Sequence, residues 1–252
     1  MKNEIKLIPV VLIAIALGFT GCKKDASTSG SPALGVKIVA LNKSYAMPVV
    51  TNGTKSAEAG TASITWDTAY MTVSKIKYEA EMKTLNTKTS TSFEWTGPQI
   101  ISLFDTTISI GNFVLQPGLY DEMELTVKGF KHDAGNKPVF YLHGNYSSGS
   151  IATIPVQVVV NEDVMFKTEM DSINVTAADN SGFTSIITLK LDELMADISL
   201  AVINAATLSN ETIIISANSN RELYMIIMRN LSKKHHTHHD HGYHYGQMGH
   251  MD

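Results

Sequence analysis

Met71–Lys83, MTVSKIKYEAEMK, alternates apolar and polar side chains in two phases. Met71 and Val73 share one parity, and Ile76, Tyr78, Ala80 and Met82 take the other. Successive side chains of a strand point to opposite faces, so a period of two marks a half-buried strand. A change of parity within one run marks an inserted residue. The stretch therefore predicts a β-strand with a bulge near Ser74-Lys75.

The same period recurs on both sides. Leu34, Val36, Ile38 and Ala40 share one parity and predict a first strand. Tyr45–Gly60 is polar and turn-rich and reads as a long loop. Phe93 and Trp95 mark the strand after Lys83, with Thr84–Ser92 as the hairpin region and Gly97-Pro98 as the end. Leu115-Gln116-Pro117-Gly118 carries the Pro-Gly pair of a type II turn. Beyond it Asp121, Met123, Leu125 and Val127 alternate with Glu122, Glu124, Thr126 and Lys128. Further strands are expected at 139–143, 154–160, 164–170, 173–176, 186–191 and 213–216. Short alternating strands with turn signals between them predict a mainly β fold, an antiparallel β-sandwich.

One or two short helices accompany it. Leu191, Leu194, Met195, Ile198 and Val202 recur at helical spacing and predict a helix over 192–206. Ser219 and Glu222 form a capping-box pattern, followed by an apolar stripe of Leu223, Ile226, Ile227 and Leu231. Arg229, Lys233 and Lys234 suit the negative end of that helix.

The chain has 252 residues, 44% of them hydrophobic, which is an ordinary globular composition. A net charge of −4 gives no general attraction to nucleic acid, so no such partner is expected. With Cys22 as the single cysteine, neither an intrachain disulfide nor a cysteine-built zinc site is possible.

That thiol has a different reading. A charged start with Lys2 and Lys6 precedes an apolar run over 7–19, shorter than the roughly 20 residues of a membrane span. The run ends in Phe19-Thr20-Gly21-Cys22, which resembles a bacterial lipobox, with Phe19 where Leu is usual. Residues 1–21 are thus expected to be a lipoprotein signal peptide, and Cys22 the site of lipid attachment. Several acyl chains, at about 0.8 kcal/mol per buried methylene, anchor where one does not. Lys23 after the cysteine resembles lipoproteins sorted to the outer membrane, with the body facing the periplasm or the surface. Residues 22–33 carry the lipid and a flexible Ser- and Gly-rich tether, 34–231 the sandwich with its carboxyl-terminal helix, and 232–252 a histidine-rich tail.

The motifs Val73-Ser74-Lys75-Ile76, Trp95, Ile101-Ser102-Leu103-Phe104-Asp105 and Leu115-Gln116-Pro117-Gly118-Leu119-Tyr120 resemble, in this order, a family of Gram-negative lipoproteins. Its members carry a transthyretin-like β-sandwich domain of unknown function. The resemblance covers about 34–231 and implies a fold and a location. It brings no catalytic residues.

No enzyme is expected. The chain lacks a G-x-S-x-G elbow, an H-E-x-x-H helix, a phosphate-binding glycine loop and a dinucleotide fingerprint. Asp121, Glu122 and Glu124 read as strand polarity with a solvated face, and Asp192-Glu193 as the acidic start of a helix. His132 and His143 flank an expected hairpin over 131–142 and are a conceivable joint metal site. Asp67-Thr68-Ala69, Asp105-Thr106-Thr107 and Asp171-Ser172-Ile173 resemble an O-glycosylation sequon of some Gram-negative exported proteins.

Chemistry concentrates in the tail. His235, His236, His238, His239, His241, His244 and His250 are seven of the chain's nine histidines. Neutral imidazole is the commonest protein ligand of zinc, copper and nickel. Met248 and Met251 add thioethers that suit Cu(I). Gly242 and Gly246 oppose a continued helix, so the tail reads as a disordered multidentate ligand for Cu, Ni or Zn ions. The expected function is capture or buffering of transition metals by an outer-membrane lipoprotein, with no cofactor required. The alternative is a protein- or glycan-binding sandwich with an incidental tail.

Overall fold

The computed structural model describes residues 32–47, 49–51, 54–56, 62–83, 87–148, 151–170, 173–176 and 183–233. They form β1 (Ala33–Leu41), β2 (Ser44–Ala46), β3 (Val49–Thr51), β4 (Thr54–Ser56), β5 (Ala62–Lys83), β6 (Lys88–Ser102), β7 (Ile110–Val114) and β8 (Gly118–Gly129). A 3-10 turn at Lys131–Asp133 leads to β9 (Phe140–Ser148), β10 (Ile151–Val160), β11 (Val164–Met170), β12 (Ile173–Val175) and β13 (Phe183–Lys190). The remainder is α1 (Leu191–Leu194), α2 (Leu200–Asn204), β14 (Leu208–Ser209), β15 (Thr212–Ile215) and α3 (Arg221–Lys233).

Strand β5 is the spine. Its first half lies between β2 and β9, and its second half between β6 and β8. The register against β6 shifts between Val73 and Lys75, where the parity change expects a bulge, but the extra residue lies in β6: Gly97 and Pro98 together oppose Ser74. Ser74 is buried, and its Oγ accepts a hydrogen bond from the Phe130 backbone N–H at 2.9 Å. Ser74 thereby ties β5 to the end of β8.

The larger sheet runs β11-β8-β5-β9-β10-β15-β14, with β12 on β8 and both β2 and β6 on β5. A second sheet, β13-β1-β7, covers it. Leu34, Val36, Ile38 and Ala40 of β1 join Ile76, Tyr78, Leu125 and Val127 of the larger sheet in one hydrophobic cluster. Phe93 and Phe113 meet between the two sheets with ring centroids 5.8 Å apart. The fold is mainly β and sandwich-like, as the short alternating strands imply.

Several details depart from the sequence reading. Two strand pairs, β1 with β13 and β10 with β15, are parallel. Each joins segments far apart in the chain, as parallel pairing requires a crossover. Gly97-Pro98 does not end its strand, because among the described residues β6 pairs with β5 alone and an edge strand tolerates the missing N–H. The expected loop at 45–60 contains part of β2 and all of β3 and β4. The expected helix over 192–206 is two short helices, α1 and α2, separated by Asp197 at φ 71°, a left-handed conformation that cannot continue a helix. The capping box at Ser219 is not formed. Ser219 instead pairs its backbone with Ser216, and Asn220 at φ 50° precedes the helix with its amide spent on the Thr207 and Ile214 carbonyls. Asp121 is half-exposed because the register against β5 shifts between Ala80 and Glu81, which turns Tyr120 inward.

Candidate functional site

Cys22, the seven tail histidines, Met248 and Met251 lie outside the described residues. The root of the tail is described. Helix α3 buries Leu223, Tyr224, Ile227 and Leu231, the face its apolar stripe predicts, while Ile226 is half-buried. Polar contacts fix its angle. Asn230 Nδ2 donates to the carbonyl oxygens of Leu194 and Ala196, and Arg229 pairs with Asp197 at 3.2 Å. Tyr224 donates its hydroxyl to Glu162. Burial, and next the Glu162 carboxylate, hold that phenol well above its ordinary range.

The first and last described segments, Pro32 and α3, lie at opposite ends of β1. Pro32, just before the strand, accepts a hydrogen bond from Leu115 N–H, and Ala33 pairs with Val114. At the far end Leu41 is in register with Lys190 of β13. Leu231 of α3 packs there, sharing a small cavity with Leu189, Lys190, Leu191 and Phe140. A strand of nine residues separates these points by roughly 30 Å.

The two histidines of the body do not come together. His132 stands on the 3-10 turn, stacked on Phe130 at 5.3 Å and 3.3 Å from Asp133. His143 lies in mid-strand β9, where its Nδ1 meets Asp67 Oδ1 at 2.7 Å. Each ring has its own carboxylate partner, and no group of three or more His, Cys, Asp or Glu among the described residues is arranged to hold a metal. Asp67 is the extra residue where β5 shifts against β9, and its carboxylate also accepts from Thr68 Oγ1 at 2.9 Å. The His143 hydrogen bond, chiefly, holds Asp67 below the usual carboxylate range. Asp105 accepts from both the backbone N–H and the hydroxyl of Thr107, which lowers its range too, and Thr106 beside it is exposed. Asp171-Ser172 lies outside the described residues.

The outer surface of the larger sheet divides at Ser74. On the second half of β5, with β6, β8 and β11, it is a ladder of ion pairs. Lys75 meets Glu94 at 2.6 Å, Lys77 meets Glu79 at 2.7 Å, Lys88 meets Glu81 at 2.9 Å, and Lys167 bridges Glu124 and Glu169 at 2.7 and 3.3 Å. Glu79, Glu124 and Glu169 stand side by side across three strands, a like-charge row that the lysines offset. Glu124 is therefore part of a solvated ionic face, as its place in the strand pattern implies.

The other half is different in kind. Residues 62–70, all of β9 and all of β10 contain no Lys, Arg or Glu. Outward from them point Tyr70 and Tyr141, stacked at 4.9 Å, then the Asp67–His143 pair, with Gln157 in register with His143. Burial raises the range of both phenols, so both are protonated donors at neutral pH. Sequence periodicity places these side chains outward but cannot bring them together, since the pairs join β5 to a strand about 75 residues away. The signal that was available is the absence of long charged side chains from three consecutive sheet neighbours.

No family model, curated protein or solved structure matches this chain. No helix among the described residues is long and apolar enough to cross a membrane.

Proposed function

We propose that this chain is an outer-membrane lipoprotein, anchored through acylated Cys22, that captures or buffers copper, nickel or zinc ions through its histidine-rich tail. The observation that supports the reading is the separation of Pro32 and α3 along β1. A tether leading to Pro32 leaves one end of the sandwich, and α3 delivers the chain toward His235 from the other. With Cys22 in a bilayer, the sandwich acts as a spacer of roughly 30 Å between lipid and the root of the tail. Asn230, Arg229 and Tyr224 hold that root in one orientation. The ligands are then His235, His236, His238, His239, His241, His244 and His250, with Met248 and Met251 available to Cu(I).

The test compares copper(II) titration of the full-length protein with that of a chain ending at Lys234. Loss of most of the bound copper on truncation supports the proposal. Equal binding by the two proteins would move the site into the sandwich and overturn it.

A further inference from the structure

The half-face built on Tyr70 and Tyr141 has no role in anchoring or in metal capture. Its chemistry is nevertheless specific. Two half-buried phenol rings stack across β5 and β9, and neither hydroxyl has a hydrogen-bond partner among the described residues. One register step away are a carboxylate, an imidazole and the amide of Gln157, and one step further the amide of Asn145. The ionisable groups on this part of the three strands besides the phenols are Asp67 and His143, which face each other at 2.7 Å. No lysine or arginine reaches from these strands to attract an anion, and no glutamate to attract a cation.

We propose that this face binds a neutral glycan. A sugar ring presents an apolar C–H face and a rim of hydroxyls, each both donor and acceptor. A rigid aromatic surface covers the first at low cost in side-chain entropy, because tyrosine has only two side-chain torsions to fix. Amide and carboxylate groups at fixed sheet spacing meet the second, and strands hold such groups more rigidly than loops do. Adjacent strands lie about 4.8 Å apart, so the rows from Tyr70 to Gln157 span a length comparable to two sugar rings. A neutral ligand also matches the electrostatics. The lattice of lysines and glutamates on the neighbouring half-face keeps its ions paired and hydrated, whereas this half offers hydrogen bonds and carries no lysine, arginine or glutamate. A polyanion would find no lysine or arginine on these strands.

The experiment is affinity electrophoresis of the full-length protein in detergent, through gels containing a β-glucan, an α-glucan, a xylan or a galactomannan, with an anionic polyuronate as control. Retardation by at least one neutral polymer is expected, reduced at least tenfold in apparent affinity by Tyr141→Ala. Because that variant removes a half-buried ring, Gln157→Ala is run beside it as a change that leaves the packing intact, and it should weaken retardation in the same gels. Lys77→Ala, on the ionic half-face, should leave retardation unchanged. No retardation by any neutral polymer overturns the proposal, as does retardation that survives both Tyr141→Ala and Gln157→Ala. A wild type that is dimeric while Tyr141→Ala is monomeric would assign the face to a second copy of the chain, and would overturn it equally.

Discussion

Asn230 Nδ2 lies 2.7 Å from the backbone oxygen of Ala196, so a side chain of α3 closes a carbonyl left open where the chain between α1 and α2 turns away from helix. The same nitrogen reaches Leu194 O at 3.1 Å. Asn230→Leu keeps the volume but leaves both carbonyls without this donor, and should cost about 1–3 kcal/mol. Ile227→Asp should cost more, because Ile227 is fully buried and a carboxylate there has no partner. Urea unfolding of both variants checks the order. A midpoint for Ile227→Asp equal to wild type would show that α3 is not docked as described.

Gly97 lies within the bulge of β6, opposite Ser74. A Cβ built there meets the Val73 carbonyl oxygen at 2.5 Å and Gln99 N at 2.9 Å, both of them backbone atoms that cannot swing aside. Gly97→Ala should therefore push β6 off β5 and destabilise the protein by about 1–3 kcal/mol. Hydrogen exchange of β6 amides should rise with it, and unchanged exchange would mean that the edge strand relaxes freely.

These two sites show what the sequence could and could not reveal. The irregularity at Ser74 was legible because burial of one face imposes a strict period of two, but which strand carries the extra residue was not, since the parity of β5 says nothing of Gly97-Pro98 opposite it. Strand β7 and strand β14 were not, since a few residues carry too little periodicity to register. The break at Asp197 escaped because apolar spacing continues across it, and that spacing does not report the left-handed backbone at Asp197. The histidine tail is legible as composition alone. The Tyr70–Tyr141 face is not, because strand register created it.

The Asp67–His143 contact should give a small, pH-dependent stability term. Asp67 has its folded range lowered, so the contribution is fully present above the unfolded carboxylate value of about 3.9 and is lost as pH falls through the folded value. Both side chains are partly exposed, at 49% and 33%, so solvent limits the effect to about 1 kcal/mol or less. Denaturant unfolding of wild type and Asp67→Asn should differ near neutral pH and converge in strong acid. A difference that persists there would assign the effect to packing.

Acylation of Cys22 predicts that a fatty-acid probe labels the wild type in cells and leaves Cys22→Ser unlabelled. The variant should also move from the membrane to the soluble fraction, since no other lipid-bearing thiol exists in the chain. Equal labelling of both proteins would sink the assignment.

Metal capture by the tail should be strongly proton-dependent. Only the neutral imidazole offers a lone pair, so protons and metal compete for the same nitrogen, and affinity should fall as pH drops through about 6.5. Several rings acting together steepen the dependence, because each ligand recruited must lose its own proton. Copper(II) should bind more tightly than nickel or zinc, following the usual order for unconstrained nitrogen sites. Fixing several side chains and their backbone around one ion costs conformational entropy, which keeps the affinity moderate. A peptide spanning residues 235–252 should retain most of the affinity of the intact protein, since the proposed ligands all lie within it. Calorimetric titrations of peptide and protein at about pH 7.5 and about pH 5.5 check each point. An affinity that does not change between the two would exclude imidazole as the principal ligand.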